Sequence, residues 1–205
     1  MLAIEIIRCA SGPRKPKGEQ FGGGSAILRR RRTTREDGMD RPLVMIETSL
    51  GEITLELDPE KAPVSVENFL QYVNSDFYKG LIFHRVIKDF VIQGGGMTFA
   101  LKEKPGWGSI RNEAGNGLKN LRGTVAMARA PEPHSASCQF YINLADNADL
   151  DHVDDSDEGF GYAVFGCVID GMDVVDAIGN VPTETRQGFD DVPVKSVTIK
   201  AVVQV

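Results

Sequence analysis

In the stretch GEITLEL, residues 51–57, Ile53, Leu55 and Leu57 alternate with Glu52, Thr54 and Glu56. Side chains along a strand point to opposite faces in turn, so this period of two describes a strand with one buried and one wet face. Val44-Met45-Ile46 precedes it and Ser49-Leu50-Gly51 joins the two, which predicts a hairpin. Further apolar runs at 82–87, 90–93, 124–128, 138–142 and 163–169 read as short strands. Val197, Ile199, Ala201, Val203 and Val205 alternate with polar residues in a last one. Roughly eight short strands argue for a barrel or a sandwich. Two helical patterns interrupt them. Pro63 suits a first helical position, with Val66, Phe69, Leu70 and Val73 following at helical spacing, and Met172, Val175 and Ile178 form a shorter stripe after Gly171. Two such helices would cap the open ends of a barrel. Residues 98–122 are strand-poor and rich in Gly, Lys and Asn, an extended surface loop of a kind that often carries function.

Outside this body the composition changes. Residues 1–40 hold nine Lys/Arg against five Asp/Glu, net +4, whereas 41–205 hold 14 against 24, net −10. The first stretch carries RKPKGE, FGGGS and the arginine run 29–32 and lacks periodicity after its opening MLAIEII. Such a composition cannot bury enough apolar surface to offset its ordering entropy, so a flexible basic tail is expected. The arginine run could serve as a polyanion patch, and Met39 is a candidate translation start. The acidic body disfavours nucleic acid, which leaves only the tail for that role. No apolar run reaches membrane-spanning length. Cys9, Cys138 and Cys167 form no CxxC pair, which argues against structural zinc and suits a reducing cytoplasm.

Strand parity locates the candidate chemistry. In 138–143, Cys138, Phe140 and Ile142 share one face, and Gln139, Tyr141 and Asn143 the other. In 90–93, Val91 and Gln93 lie opposite Ile92; in 83–86, Arg85 lies opposite His84 and Val86. Arg85, Gln93, Gln139 and Tyr141 therefore gather on the outer faces of three strands as a shared site. By the same parity His84 is a structural histidine on the core face. No HExxH, GxSxG or phosphate-loop signature is present, and Gly94-Gly95-Gly96 reads as an irregular strand end. Seven acids between Asp146 and Glu158 do not follow the order of an EF-hand loop, so a solvated loop is expected, one that could bias substrates towards basic residues.

These residues also carry a resemblance. FHRVIKDFVIQGGG (83–96) resembles the cyclophilin motif of peptidyl-prolyl cis-trans isomerases. RGTVAMARA (122–130), SASCQFYINL (135–144) and GYAVFGCVIDGMDVVDAI (161–178) follow in that family's order, closest to the small bacterial members. The resemblance runs from about residue 43 to 205. It implies a mainly β fold, a closed eight-stranded antiparallel barrel capped by two α-helices, and isomerisation of X–Pro bonds in folding proteins without metal or cofactor. Arg85 matches the family's catalytic arginine and Gln93 the residue that bonds the substrate carbonyl and helps hold it. Phe90, Val91, Tyr141, Leu150 and Tyr162 match the proline pocket; Ala128, Arg129 and Gln139 match positions that hold the substrate backbone. Parity puts Phe90 on the wrong face, so the strand must bend near Asp89.

Departures from the family pattern are Arg129 in place of a common Asn, Tyr141 in place of Phe, and Asp149 where Trp or Phe is frequent. The last implies weak cyclosporin binding. Proline-containing peptides and unfolded or folding proteins are the expected partners, and a monomer the expected state. A competing reading of the same pocket is a proline-directed binding module or holdase; a third is a polyanion-binding protein acting through the arginine run.

Overall fold

A computed structural model describes residues 41–205. The expectations for the basic tail, its arginine run, Cys9 and Met39 lie outside the described residues. The chain forms β1 (Leu43–Thr48), β2 (Gly51–Leu57), α1 (Pro63–Asn74), β3 (Leu81–Ile87), β4 (Val91–Thr98), β5 (Thr124–Met127) and β6 (Phe140–Asn143). It continues through β7 (Val164–Asp170), α2 (Met172–Gly179), β8 (Thr183–Arg186), β9 (Phe189–Pro193) and β10 (Val197–Gln204). Eight strands close a barrel in the order β1-β10-β3-β4-β6-β5-β7-β2. Every neighbouring pair is antiparallel. Closure decides between the barrel and the sandwich.

The opening hairpin follows its periodicity: Val44 pairs with Leu55 and Ile46 with Ile53, and all four side chains are fully buried. In α1, Val66, Phe69 and Val73 face the core as their spacing requires. Phe69 sits among Tyr78, Phe140 and Phe165 at centroid distances of 5.2–5.5 Å. Burying such a ring contributes on the order of 2–3 kcal/mol. The start of α1 has no side-chain cap of its own. Glu113, from the long loop, supplies one: its carboxylate accepts from the amides of Val64 and Ser65 at 3.0 and 2.8 Å and from the Ser65 hydroxyl at 2.8 Å. The two helices close opposite ends of the barrel, since α1 meets Phe140 at the start of β6 while Gly179 of α2 lies against Leu144 just past its end.

Three features depart from the sequence reading. First, the alternation expected through β10 breaks at Lys200: Thr48 pairs with Ile199 but Glu47 with Ala201. This bulge reverses the parity, so Val202 enters the core and Val203 and Val205 are exposed. Second, the three glycines lie inside β4 rather than at its end, and the ladder skips from Phe83–Gly94 to Ile82–Met97. Third, β8 and β9 form a separate two-stranded ribbon that no apolar pattern announces. Most of its residues are exposed; it is pinned by Val192, which is buried with Ile82, Met97 and Leu101.

Candidate active site

The register of β3 and β4 builds the polar half of the site. Val86 pairs with Ile92 and Arg85 with Gln93, and then Phe83 pairs with Gly94, leaving His84 as an extra residue. Phe83 and Val86 both join the core. The bulge therefore turns His84 as well as Arg85 away from it, which corrects the placement of His84 on the core face. His84 is nevertheless buried, as expected of a structural histidine. Burial, with a smaller push from the Arg85 charge, brings its pKa down from the usual 6.5 to about 4 against the opposing influence of Ile82 and Gln139. The imidazole is thus neutral at physiological pH, and its Nδ1 has no hydrogen-bond partner among the described residues.

One register line then crosses five strands. Arg85 on β3 faces Gln93 on β4, Gln93 faces Tyr141 on β6, Tyr141 faces Ala126 on β5, and Ala126 faces Val164 on β7. The line is polar at the arginine end and apolar at the other. Val91, Ala126, Tyr141 and Val164 form an apolar cluster distinct from the barrel core, with Phe90, Leu118, Ala128, Leu150 and Tyr162 half-buried around it. The five residues matched to the proline pocket (Phe90, Val91, Tyr141, Leu150 and Tyr162) therefore meet in one place, joined by Ala128, which was matched to the substrate backbone. Phe90 reaches it because Asp89 adopts a left-handed backbone, φ 58°, just before β4. The Phe90 carbonyl then accepts from the Leu144 amide at 2.8 Å and the Asn147 side chain at 2.9 Å.

At the polar end the Gln93 amide donates to Gln139 Oε1 at 3.0 Å. The glycine run permits this arrangement: a Cβ on Gly96 would stand 2.5 Å from the Gln139 side chain, and Gly95 holds φ 87°. Arg85 is exposed, and its Nε lies 3.8 Å from Asp191 Oδ2.

Two of the departures are absorbed by local bonding. The Tyr141 hydroxyl donates to Asn120 Oδ1 at 2.7 Å, and burial, ahead of Tyr162 and Asp151, holds its pKa well above the usual phenol value. Asn120 in turn donates to the Leu150 carbonyl and to Asp151, tying the acidic loop to the pocket floor. The Arg129 guanidinium bonds the carbonyls of Gly161, Ala130, Pro131 and Asp157 and stacks 4.8 Å from the Tyr162 ring. It braces two loops. Asp149 is exposed, on a short 3-10 turn, Ala148–Leu150, that carries Leu150.

Sequence reasoning missed Ala126, Val164, Leu118, Asn120 and Asp191. Parity along 124–127 would have found Ala126; Asn120 and Asp191 arrive from loop and ribbon contacts without a local signal. Among the described residues no group of three or more His, Cys, Asp or Glu could hold a metal ion, and no helix is long and apolar enough to cross a membrane.

The fold and this line of residues define a barrel that offers an exposed guanidinium and hydrogen-bonding amides beside an apolar floor. Residues 43–204 match the family model described as cyclophilin type peptidyl-prolyl cis-trans isomerase/CLD, and the chain belongs to that family. It is 54% identical over 158 residues to peptidyl-prolyl cis-trans isomerase cyp18 of Streptomyces antibioticus, covering 77% of this chain and 95% of that one. It is 49% identical over 160 residues to peptidyl-prolyl cis-trans isomerase B of Escherichia coli K12, covering 78% and 98%. The crystal structure of a Cryptosporidium parvum cyclophilin type peptidyl-prolyl cis-trans isomerase superposes with TM-score 0.67 at 28% identity, covering 81% of this chain and 98% of that one. A second structure of that protein, in the presence of the dipeptide Ala-Pro, gives TM-score 0.65 at 28% identity over 80% of this chain and 98% of that one. The protein is a cyclophilin-type isomerase of X–Pro peptide bonds.

Proposed function

We propose that the register line from Arg85 to Val164 is the isomerisation site, and that Arg85 carries the reaction. An X–Pro bond resists rotation because the nitrogen lone pair conjugates with the carbonyl, with a barrier of roughly 20 kcal/mol. In the twisted transition state that conjugation is lost and the nitrogen becomes basic. A donor aimed at it binds the twisted form better than either planar one, which is the requirement for catalysis. The guanidinium of an arginine is a permanent cation and donates without proton transfer. The proline ring rests on Phe90, Val91, Tyr141 and Leu150, with Tyr162 at the edge. Gln93, coupled to Gln139, bonds the substrate carbonyl. Ala128, Arg129 and Gln139 meet the substrate backbone; for Arg129 this is a main-chain role, because its guanidinium is spent on its own loops. The single observation that supports the assignment is the placement of Arg85, Gln93 and Tyr141 on one line across adjacent strands.

The partners are proline-containing segments of unfolded or folding proteins. The Ala-Pro dipeptide present with the Cryptosporidium parvum protein supports this. Cyclosporin binds weakly, because Asp149 offers a charge where an aromatic ring is common; nanomolar inhibition would overturn that reading. A monomer is sufficient, since one chain supplies both the donor and the floor, and the cysteine usage suits the cytoplasm. The test is exchange NMR on a short X–Pro peptide. Loss of one preorganised donor costs about 2.7–4 kcal/mol, so Arg85→Ala should slow enzyme-catalysed exchange roughly a hundred- to thousandfold while its spectrum stays folded. Wild-type exchange by that variant would remove Arg85 from the mechanism.

A further inference from the structure

The ribbon β8–β9, which no sequence pattern announced, brings a carboxylate to the catalytic arginine. Val192, wholly buried against Ile82, Met97 and Leu101, clamps β9 beside β3. The preceding residue, Asp191, holds a left-handed backbone with φ 59°, a conformation that a residue other than glycine adopts at some cost in energy. Its neighbour Asp190 is turned to the ribbon itself, where it accepts from Thr185 Oγ1 at 2.7 Å. Asp191 Oδ2 instead stands 3.8 Å from Arg85 Nε. It is the one carboxylate within 4 Å of that guanidinium among the described residues. The residue expected to steady the arginine, Gln93, gives its amide to Gln139.

We propose that Asp191 is a positioning residue for Arg85. The proposal rests on the reading of Arg85 as the catalytic donor. The carboxylate addresses Nε, on the stem side of the guanidinium, which leaves the two terminal nitrogens to face the substrate. At 3.8 Å the contact is an ion pair rather than a direct hydrogen bond. It restricts the swing of a side chain that is 44% exposed. An exposed pair of this kind is a modest restraint. Its effect is therefore on the fraction of time the donor is aligned, hence on turnover, with substrate affinity left to the apolar floor.

Three variants test this by exchange NMR with an X–Pro peptide: Asp191→Asn, Asp191→Gly and Arg85→Ala. Asn and Gly both accept a left-handed backbone, so the ribbon keeps its path and neither should lower the melting temperature. Both should reduce the on-enzyme interconversion rate about two- to fivefold, the range of a weak surface pair, with peptide affinity unchanged within twofold. The Arg85 Nε–H resonance should shift and narrow in both. High salt should slow the wild type towards the variants and leave the variants unaffected. Wild-type turnover in both Asp191 variants, with an unmoved Nε resonance and Arg85→Ala inactive, overturns the proposal and leaves the catalytic assignment standing. A drop in melting temperature without a change in interconversion rate also overturns it, assigning Asp191 to the ribbon alone. Full activity in Arg85→Ala removes the assignment itself, and the proposal with it.

Discussion

His84 makes folding stability depend on pH in a predictable window. Its imidazole is buried beside a permanent cation, and its pKa falls from 6.5 in the open chain to about 4 in the fold. Between those values the unfolded chain binds a proton that the folded protein refuses, so the unfolded state gains as pH falls. Above pH 6.5 both states are neutral and the contribution is absent. The destabilisation grows to about 2 kcal/mol by pH 5 and about 3 kcal/mol by pH 4, taking about 1.4 kcal/mol per pKa unit. His84→Gln removes the titrating group and keeps a polar side chain of similar size beside Gln139. Urea unfolding of both proteins at several pH values from 7 to 4 isolates the effect, because the carboxylates common to the two cancel in the difference. The stability of wild type minus variant should fall by about 3 kcal/mol across that range. A difference that stays flat with pH, or an imidazole seen by NMR to be charged at pH 5.5, would show that the fold does not keep His84 neutral.

Glu113→Ala should remove the acceptor for the first amides of α1 and cost about 1–2 kcal/mol in urea unfolding, with isomerase turnover per folded molecule unchanged. Tyr141→Phe deletes a hydroxyl whose proton goes to Asn120 rather than to a substrate; stability should fall by about 1 kcal/mol while exchange of an X–Pro peptide stays within twofold of wild type. A gain or loss of turnover beyond that would place the hydroxyl in the pocket.

The parts of the molecule that were legible from sequence are those governed by local periodicity. Ile53, Leu55 and Leu57 announce β2 because each strand face must be uniformly wet or dry. Arg85, Gln93 and Tyr141 could be grouped because each sits opposite core residues on its own strand. What defeated parity was the bulge, at His84 and again at Lys200. An extra residue there is set by the hydrogen bonds of the partner strand, and nothing in the bulged strand's own pattern records it. The ribbon β8–β9 escaped for another reason: with most of its side chains in solvent it has no dry face to read, and only Val192 and Pro193 of its strand residues are buried. Asn120 and Asp191 were invisible because a loop and a ribbon deliver them from far along the chain.

This division explains how the fold accommodates Arg129 and Tyr141. The line from Arg85 to Val164 is a line of backbone register, held by ladder hydrogen bonds that do not depend on side-chain identity. Slipping β4 by one residue would put Ile92 where Gln93 stands and turn Val91 from the pocket towards the core, destroying the polar and apolar halves together. The glycine bulge opposes that slip. Only there does β4 take up its extra residues, and only glycine fits at position 95, where a Cβ would lie about 3 Å from the Tyr78 ring, the Cys138 carbonyl and the Phe140 ring. Register is thus pinned by packing inside the barrel. The side chains around the mouth are left to bond with one another, Tyr141 to Asn120 and Arg129 to four carbonyls, without moving the apolar cluster of Val91, Ala126 and Val164.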